Sequence, residues 1–428
     1  MLKSNNKIAE VSILVLVLFL PYYSTIRGLS IIHLPSLVSS IIPYLRDLII
    51  LSALIFIKEK KTLEGISFFI KLYILILVFF AFITLFRGYG VVALKSIHLS
   101  LFPILAFYIA RNVQNNNPLF FIKFLNFYIY NGLFVSIISF YFYFFRPQFY
   151  NEIFNLIYIS DNTNAALNYT RMLGTFFSPN VFGVYMASLS LMSFIKIVNG
   201  KKNILNYFIL FLTTINLILS FSRGSWVLEF VGLFTICLFN KKSFFTLLKV
   251  SFMTFILGSL TLSSLAYSSS MNIKEIISSR FNTLFSFENN TAYNRFENFD
   301  KVIINLNKNP LGSGLGAGSQ SSAGNVDFFK EVNIGVIDSH YLKTLSEGGF
   351  LSLFIFLLLA IVILTSLIKK IKKSSKFFTD LFLLKREFLI FTLALFLGIL
   401  TQSIGSNPFD FISTAPILWM FLGISARL

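Results

Sequence analysis

Charge is scarce in this sequence. Asp, Glu, Lys and Arg make up 13% of its 428 residues, against about 25% in a soluble domain. With 56% hydrophobic residues and a mean hydropathy of +0.76, that deficit argues against a cytosolic enzyme and against a disordered chain. Cysteine is nearly absent: Cys237 stands alone, so no internal disulfide is expected. The three histidines, His33, His98 and His340, are scattered and form no cluster at ligand spacing, so neither a metal nor another cofactor is expected. No Gly-Lys-Ser/Thr occurs, which excludes a Walker A loop. Internal repeats and inverted halves are not visible either, which speaks against a flippase or transporter, the rival class.

Long apolar runs are what the chain has. Twelve fall at about 8–24, 41–57, 66–85, 95–110, 118–145, 179–197, 204–221, 225–239, 245–267, 350–368, 387–404 and 414–426, near the length a bilayer demands. The class expected is all-α: a polytopic transmembrane helical bundle of about 12 spans. Glu10 interrupts the first run, which is read as a retained span rather than a cleaved leader. The net charge of +18 is placed by parity. With a cytoplasmic N-terminus, the even-numbered connections carry Lys58, Lys60 and Lys61; Arg111 and Lys123; Lys196, Lys201 and Lys202; Lys241 and Lys242; and a cluster from Lys369 to Arg386, with Arg427 closing the chain. All are basic, as the positive-inside rule requires. The charge therefore reports topology, with both termini inside, and no nucleic-acid partner is expected. The chain divides into helices one to nine over 1–267, a large outward loop over 268–349, and helices ten to twelve over 350–428.

On the outward face, arginines stand where positive charge is disfavoured. Arg223, in Ser222-Arg223-Gly224, closes span seven; Arg171 precedes Pro179-Asn180; Arg280 and Arg295 lie in the long loop. Without a matching carboxylate cluster, such a set points to an anionic ligand, because guanidinium forks bind phosphate oxygens bidentately. His340, just before span ten, is a group able to titrate near neutral pH, as a general base requires. The run Gly312-Ser-Gly314-Leu-Gly316-Ala-Gly318 is read first as a close-packed turn, and second as a loop around a sugar or phosphate. Arg46 and Asp47 are expected in a structural ion-pair network, and Glu229 is expected to pair with Arg223.

Taken in order, Arg171 to Gly174 with Pro179-Asn180 and Gly183, then Ser222-Arg223-Gly224, then Arg295 with Asn309-Pro310-Leu311-Gly312, and finally His340-Tyr341-Leu342 with Glu347 and Gly349, resemble the O-antigen ligase/polymerase superfamily. The resemblance spans roughly 165–365. It implies a glycosyltransferase of the bacterial inner membrane, metal-independent and inverting, that uses a glycan on undecaprenyl pyrophosphate at the periplasmic face. In that frame His340, Arg223 and Arg295 are the catalytic set. Arg171, Arg280, Asn180, Tyr341 and Glu347 contact pyrophosphate or glycan. Partners implied are the lipid-linked glycan as donor and acceptor, the bilayer, and, as a candidate, a chain-length regulator protein. The activity favoured is a polymerase joining lipid-linked repeats; the alternative is a ligase that moves the polymer onto lipid A-core. Where the family has His-Asn, this chain has His340-Tyr341.

Overall fold

The computed structural model describes residues 2–57, 65–158, 171–200, 203–240, 244–246, 290–322, 325–374 and 380–428, with backbone alone at 2–6 and 290–298. Among the described residues the chain is mostly helical and has no strand. The long membrane-type helices are Lys7–His33, Ser36–Ile55, Gly65–Phe86, Gly90–Asn116, Phe120–Phe145, Pro179–Val198 and His340–Ser374. The protein is an all-α polytopic membrane protein, and seven of its described helices are long and apolar enough to cross a bilayer.

The sequence reading expected twelve runs, and the difference has a physical cause. Ile204–Leu219, Arg223–Phe239 and Ala415–Ser425 contain 16, 17 and 11 residues. At 1.5 Å per residue they reach less than a hydrocarbon core of about 30 Å. Asp380–Gln402 has the length but carries charge near its start. The ninth run lies outside the described residues except at 245 and 246. Of the three short helices, Ala415–Ser425 is packed inward, with every residue buried, as befits a helix that is hydrophobic all round; Ile204–Leu219 and Arg223–Phe239 keep an exposed apolar face. The buried helix lies so close against Phe102–Asn116 that a Cβ at Gly423 would sit 2.4 Å from the Phe107 carbonyl oxygen. Small residues allow such backbone contact between membrane helices. Pro179–Val198 is the central helix, with 83% of its most apolar stretch buried.

Five helices frame the site and its supports, labelled in chain order: α1 (Phe102–Asn116), α2 (Arg223–Phe239), α3 (His340–Ser374), α4 (Asp380–Gln402) and α5 (Ala415–Ser425). Contacts sort the connections into two rims. At one, Asn240 donates to Asn199 (2.9 Å), Arg386 to the Phe239 carbonyl (3.0 Å) and Lys370 to the Ser425 carbonyl (2.9 Å). At the other, Arg87 donates to the Ser313 carbonyl (2.6 Å), Arg171 to the Ser220 carbonyl (3.0 Å), and the His340 amide to the Ser403 carbonyl (2.9 Å). The first rim carries connections that parity groups as even, the second those it groups as odd.

The glycine run belongs to the second rim and is locked. Gly312, Gly314, Gly316 and Gly318 all have positive φ. The Ser313 and Gly314 amides donate to the Ser346 and Glu347 carbonyls, both at 2.9 Å, and Leu315 to Phe80 at 3.1 Å. Close packing is therefore the reading the geometry favours. Its partner is the kink in α3 at Gly348 and Gly349. Gly349 has φ 59° and ψ −162°, a region essentially reserved for glycine, and a Cβ there would lie 2.4 Å from the Pro310 carbonyl oxygen. Gly349→Ala is expected to cost about 1–3 kcal/mol from backbone strain alone, with the clash added. Its melting temperature in detergent should fall clearly below that of the unsubstituted protein, and an equal value would show that the kink relaxes freely.

Candidate active site

At the second rim the chain turns from Ile204–Leu219 into α2 through Ser220-Phe221-Ser222. Phe221 has φ 48°, and the turn is held from outside: the Arg171 guanidinium donates to the Ser220 carbonyl at 3.0 Å and to the Phe221 carbonyl at 3.2 Å. Ser222 is the N-cap residue, yet its hydroxyl does not cap. It donates instead to Asn180 Oδ1 (3.0 Å) and meets Ser225 Oγ at 2.9 Å. The first amides of α2 therefore lack a side-chain cap, and a helix start in that state carries partial positive charge. Arg223, the first residue of the helix, is exposed there. A full guanidinium charge and the positive end of a helix thus coincide, an arrangement suited to an anion.

Across the turn, Gly224 rests on Gln402, the last residue of α4: a Cβ at 224 would lie 3.1 Å from Gln402 Cγ. The next residue, Ser403, accepts the His340 amide at 2.9 Å, and Ser406 accepts it at 3.2 Å. The arginine turn and the histidine thus meet through two consecutive residues. The His340 ring is 3% exposed and sits between Phe356 and Phe409, with both centroids at 4.9 Å. Neither ring nitrogen has a hydrogen-bond partner among the described residues.

Residues 208–357 match the family model described as O-antigen ligase. Over that segment the chain is similar to the O-antigen ligase family. The matched segment contains Arg223, Arg295 and His340, while Arg171 and Asn180 precede it. No curated protein matches the chain.

The expected site residues fall into two groups. Arg171, Asn180 and Arg223 gather on the turn before α2. Arg171 also lines, with Tyr143, Arg146 and Tyr150, a cavity of about 10 Å³, room for roughly one water. His340, Tyr341 and Glu347 lie along the first two turns of α3. Tyr341 donates to the Leu400 carbonyl at 2.7 Å. Glu347 is 4% exposed; one oxygen accepts the Gly316 amide at 2.9 Å and the other meets Lys343 Nζ at 3.4 Å. Arg295 belongs to the helix Asn290–Lys308, at a position where only the backbone is described, and Arg280 lies outside the described residues.

Two expectations change. Glu229 accepts a hydrogen bond from Ser190 on the central helix, and no ion pair joins it to Arg223 among the described residues; helix rotation points the carboxylate inward and the guanidinium outward. His98, set aside as a scattered histidine, is buried in the network that Arg46 and Asp47 form. Arg46 Nε donates to Asp47 at 2.7 Å, Arg46 Nη2 lies 3.1 Å from His98 Nδ1, and His98 also bonds Asp47. The ion-pair reading of Arg46 and Asp47 holds, and His98 is its third member.

Sequence reasoning missed Lys343, Asp410 and Gln402. Lys343, 2% exposed, lies 2.6 Å from Asp410 and 3.2 Å from the Ser100 hydroxyl, and Ser100 also donates to Asp410 at 3.0 Å. The i,i+4 spacing of Lys343 and Glu347 was a usable signal. Asp410 had none, because its partner lies 67 positions earlier in the chain, and Gln402 resembles any polar residue that closes an apolar run.

Proposed function

We propose that this protein is a polymerase that joins glycan repeats carried on undecaprenyl pyrophosphate at the periplasmic rim of the bacterial inner membrane. The observation that carries the reading is Arg223, exposed at an uncapped helix start inside the family-matched segment and linked through Gln402 and Ser403 to His340. No nucleotide is available outside the cytoplasmic membrane, so the sugar–pyrophosphate bond itself supplies the driving force. An acceptor hydroxyl oxygen attacks the anomeric carbon of the donor with inversion. The new C–O bond forms as the bond to pyrophosphate breaks, the hydroxyl proton passes to His340, and undecaprenyl pyrophosphate leaves. Arg223 and Arg295 hold the departing charge, a preorganised role that needs no metal; Arg171 and Arg280 add to the field, and Asn180 and Tyr341 line the approach. His340 suits proton transfer because none of the described residues occupies its ring nitrogens. The bilayer delivers both lipid-linked substrates, and a chain-length regulator is the candidate protein partner.

The lipopolysaccharide ladder of a deletion strain tests this. A single repeat capped on core is the expected result. Core without O-antigen, together with accumulated lipid-linked polymer, would identify a ligase instead. Reporter fusions test the side: those near Lys202 and Lys373 should read cytoplasmic and one near Asn325 periplasmic. A cytoplasmic readout at Asn325 would invert the site and remove the donor from its reach.

A further inference from the structure

Among the described polar residues near the rim, Gln402 is conspicuous. It is 2% exposed, and neither its Nε2 nor its Oε1 has a hydrogen-bond partner among the described residues. Buried polar groups nearly always have one, so an amide with both ends open is either a persistent cost to the fold or a group held for a ligand. Its position favours a ligand. A Cβ at Gly224 would approach Gln402 Cγ to 3.1 Å and Nε2 to 3.4 Å, so the amide lies directly beside the first turn of α2, next to exposed Arg223. Two residues further on, Ile404 is 67% exposed, so the chain reaches the surface of the rim immediately after Gln402.

We propose that Gln402 binds adjacent hydroxyls of the sugar attached to the donor pyrophosphate, an inference that rests on the glycosyl-transfer reading above. The amide's own chemistry selects this ligand. Side by side it offers one donating nitrogen and one accepting oxygen. A phosphate would satisfy only the nitrogen and would oppose the oxygen. Two neighbouring sugar hydroxyls, each able to donate and accept, satisfy both. With the phosphate on Arg223, the group that falls next to it, over Gln402, is the sugar bonded to that phosphate. The pair thus divides the donor, guanidinium for the anion and amide for the ring, and orients the anomeric carbon toward the His340 side of the turn.

Gln402→Met keeps the length of the side chain and removes both open polar atoms. In a reconstituted extension assay at limiting donor, the rate should fall by about 10- to 100-fold, the range for losing two substrate hydrogen bonds. The melting temperature should be no lower than that of the unsubstituted protein. Undecaprenyl pyrophosphate without a glycan, used as a competitor, should inhibit the variant as well as it inhibits the parent, because it engages Arg223 only. Gln402→Ala, tested alongside in case the Met side chain is not accommodated, should show the same division between donor use and carrier inhibition. Extension at the parental rate in either folded variant would overturn the assignment. So would weakened inhibition by the glycan-free carrier, or a fall in melting temperature that tracks the loss of activity. Arg223→Ala separates this proposal from the reading beneath it. Should that variant retain extension and carrier inhibition, the functional reading fails; should it lose both while the Gln402 variants stay normal, only the Gln402 assignment fails.

Discussion

Arg223→Lys is expected to lower chain extension by about 10²–10³, equivalent to roughly 3–4 kcal/mol of transition-state stabilisation, despite keeping the charge. Lysine presents a point charge, whereas pyrophosphate is held best by two parallel N–H donors in a plane. The structure adds a reason for severity. Arg223 begins α2, whose first amides have no side-chain cap, and the turn before it is fixed by Arg171 on the Ser220 and Phe221 carbonyls. The guanidinium therefore starts from a rigid base, and a shorter reach to the anion is not recovered by movement of the backbone. Because Arg223 is exposed and makes no ion pair among the described residues, Arg223→Ala should fold normally. Extension measured at matched expression is the check. Near-normal chains from both variants would make Arg223 an interfacial anchor.

Asp410→Ala should be the most damaging single change to stability outside the glycine kink. Lys343 is 2% exposed and lies 2.6 Å from Asp410. Removing one partner of a buried pair leaves the other charge uncompensated, at a cost of about 3–5 kcal/mol, a large share of the 5–15 kcal/mol that holds a typical domain together. Glu347 softens the loss at 3.4 Å. The pH dependence has a definite sign. Burial alone would raise the Asp410 carboxyl, but Lys343 outweighs it, and His340 adds to the effect, so the group is held below the ordinary carboxylate value. A carboxylate with a depressed folded-state pKa contributes fully above its unfolded value of about 3.9 and loses that contribution as pH falls through the folded value. The stability gap between Asp410→Ala and the parent should therefore stay constant from neutral pH down to about 4 and close only below it. Thermal melts of the two proteins in a Glu347→Gln background, which removes the neighbouring carboxyl that also faces Lys343, measure the gap over that range; one that closes between pH 7 and 5 would show that Asp410 is not held by Lys343.

His98→Ala, by the same logic, should not be silent. Along the chain His98 is one of three scattered histidines, and nothing near it is charged except Lys95. In three dimensions it bridges to Arg46 and Asp47, more than fifty positions earlier. A histidine on an apolar helix looks the same whether it faces lipid or closes an ionic network, and only the neighbouring helix distinguishes the two.

That contrast holds across the molecule. The sequence by itself determined what depends on local chemistry and on transfer to lipid: a helical membrane protein, the assignment of basic connections to one rim, and the motif order from Arg171 through Ser222-Arg223-Gly224 to His340. Each of those follows from runs of apolar residues or from short segments whose meaning survives without their neighbours. The tertiary structure decided which polar residues meet. Glu229 turns to Ser190, Lys343 finds Asp410, the glycine run docks on the kink at Gly349, and Gln402 comes to rest between Arg223 and the backbone that holds His340. In an apolar surrounding a polar side chain must find a partner or remain open, and that choice is made by the helix packed against it, which no periodicity along the chain records.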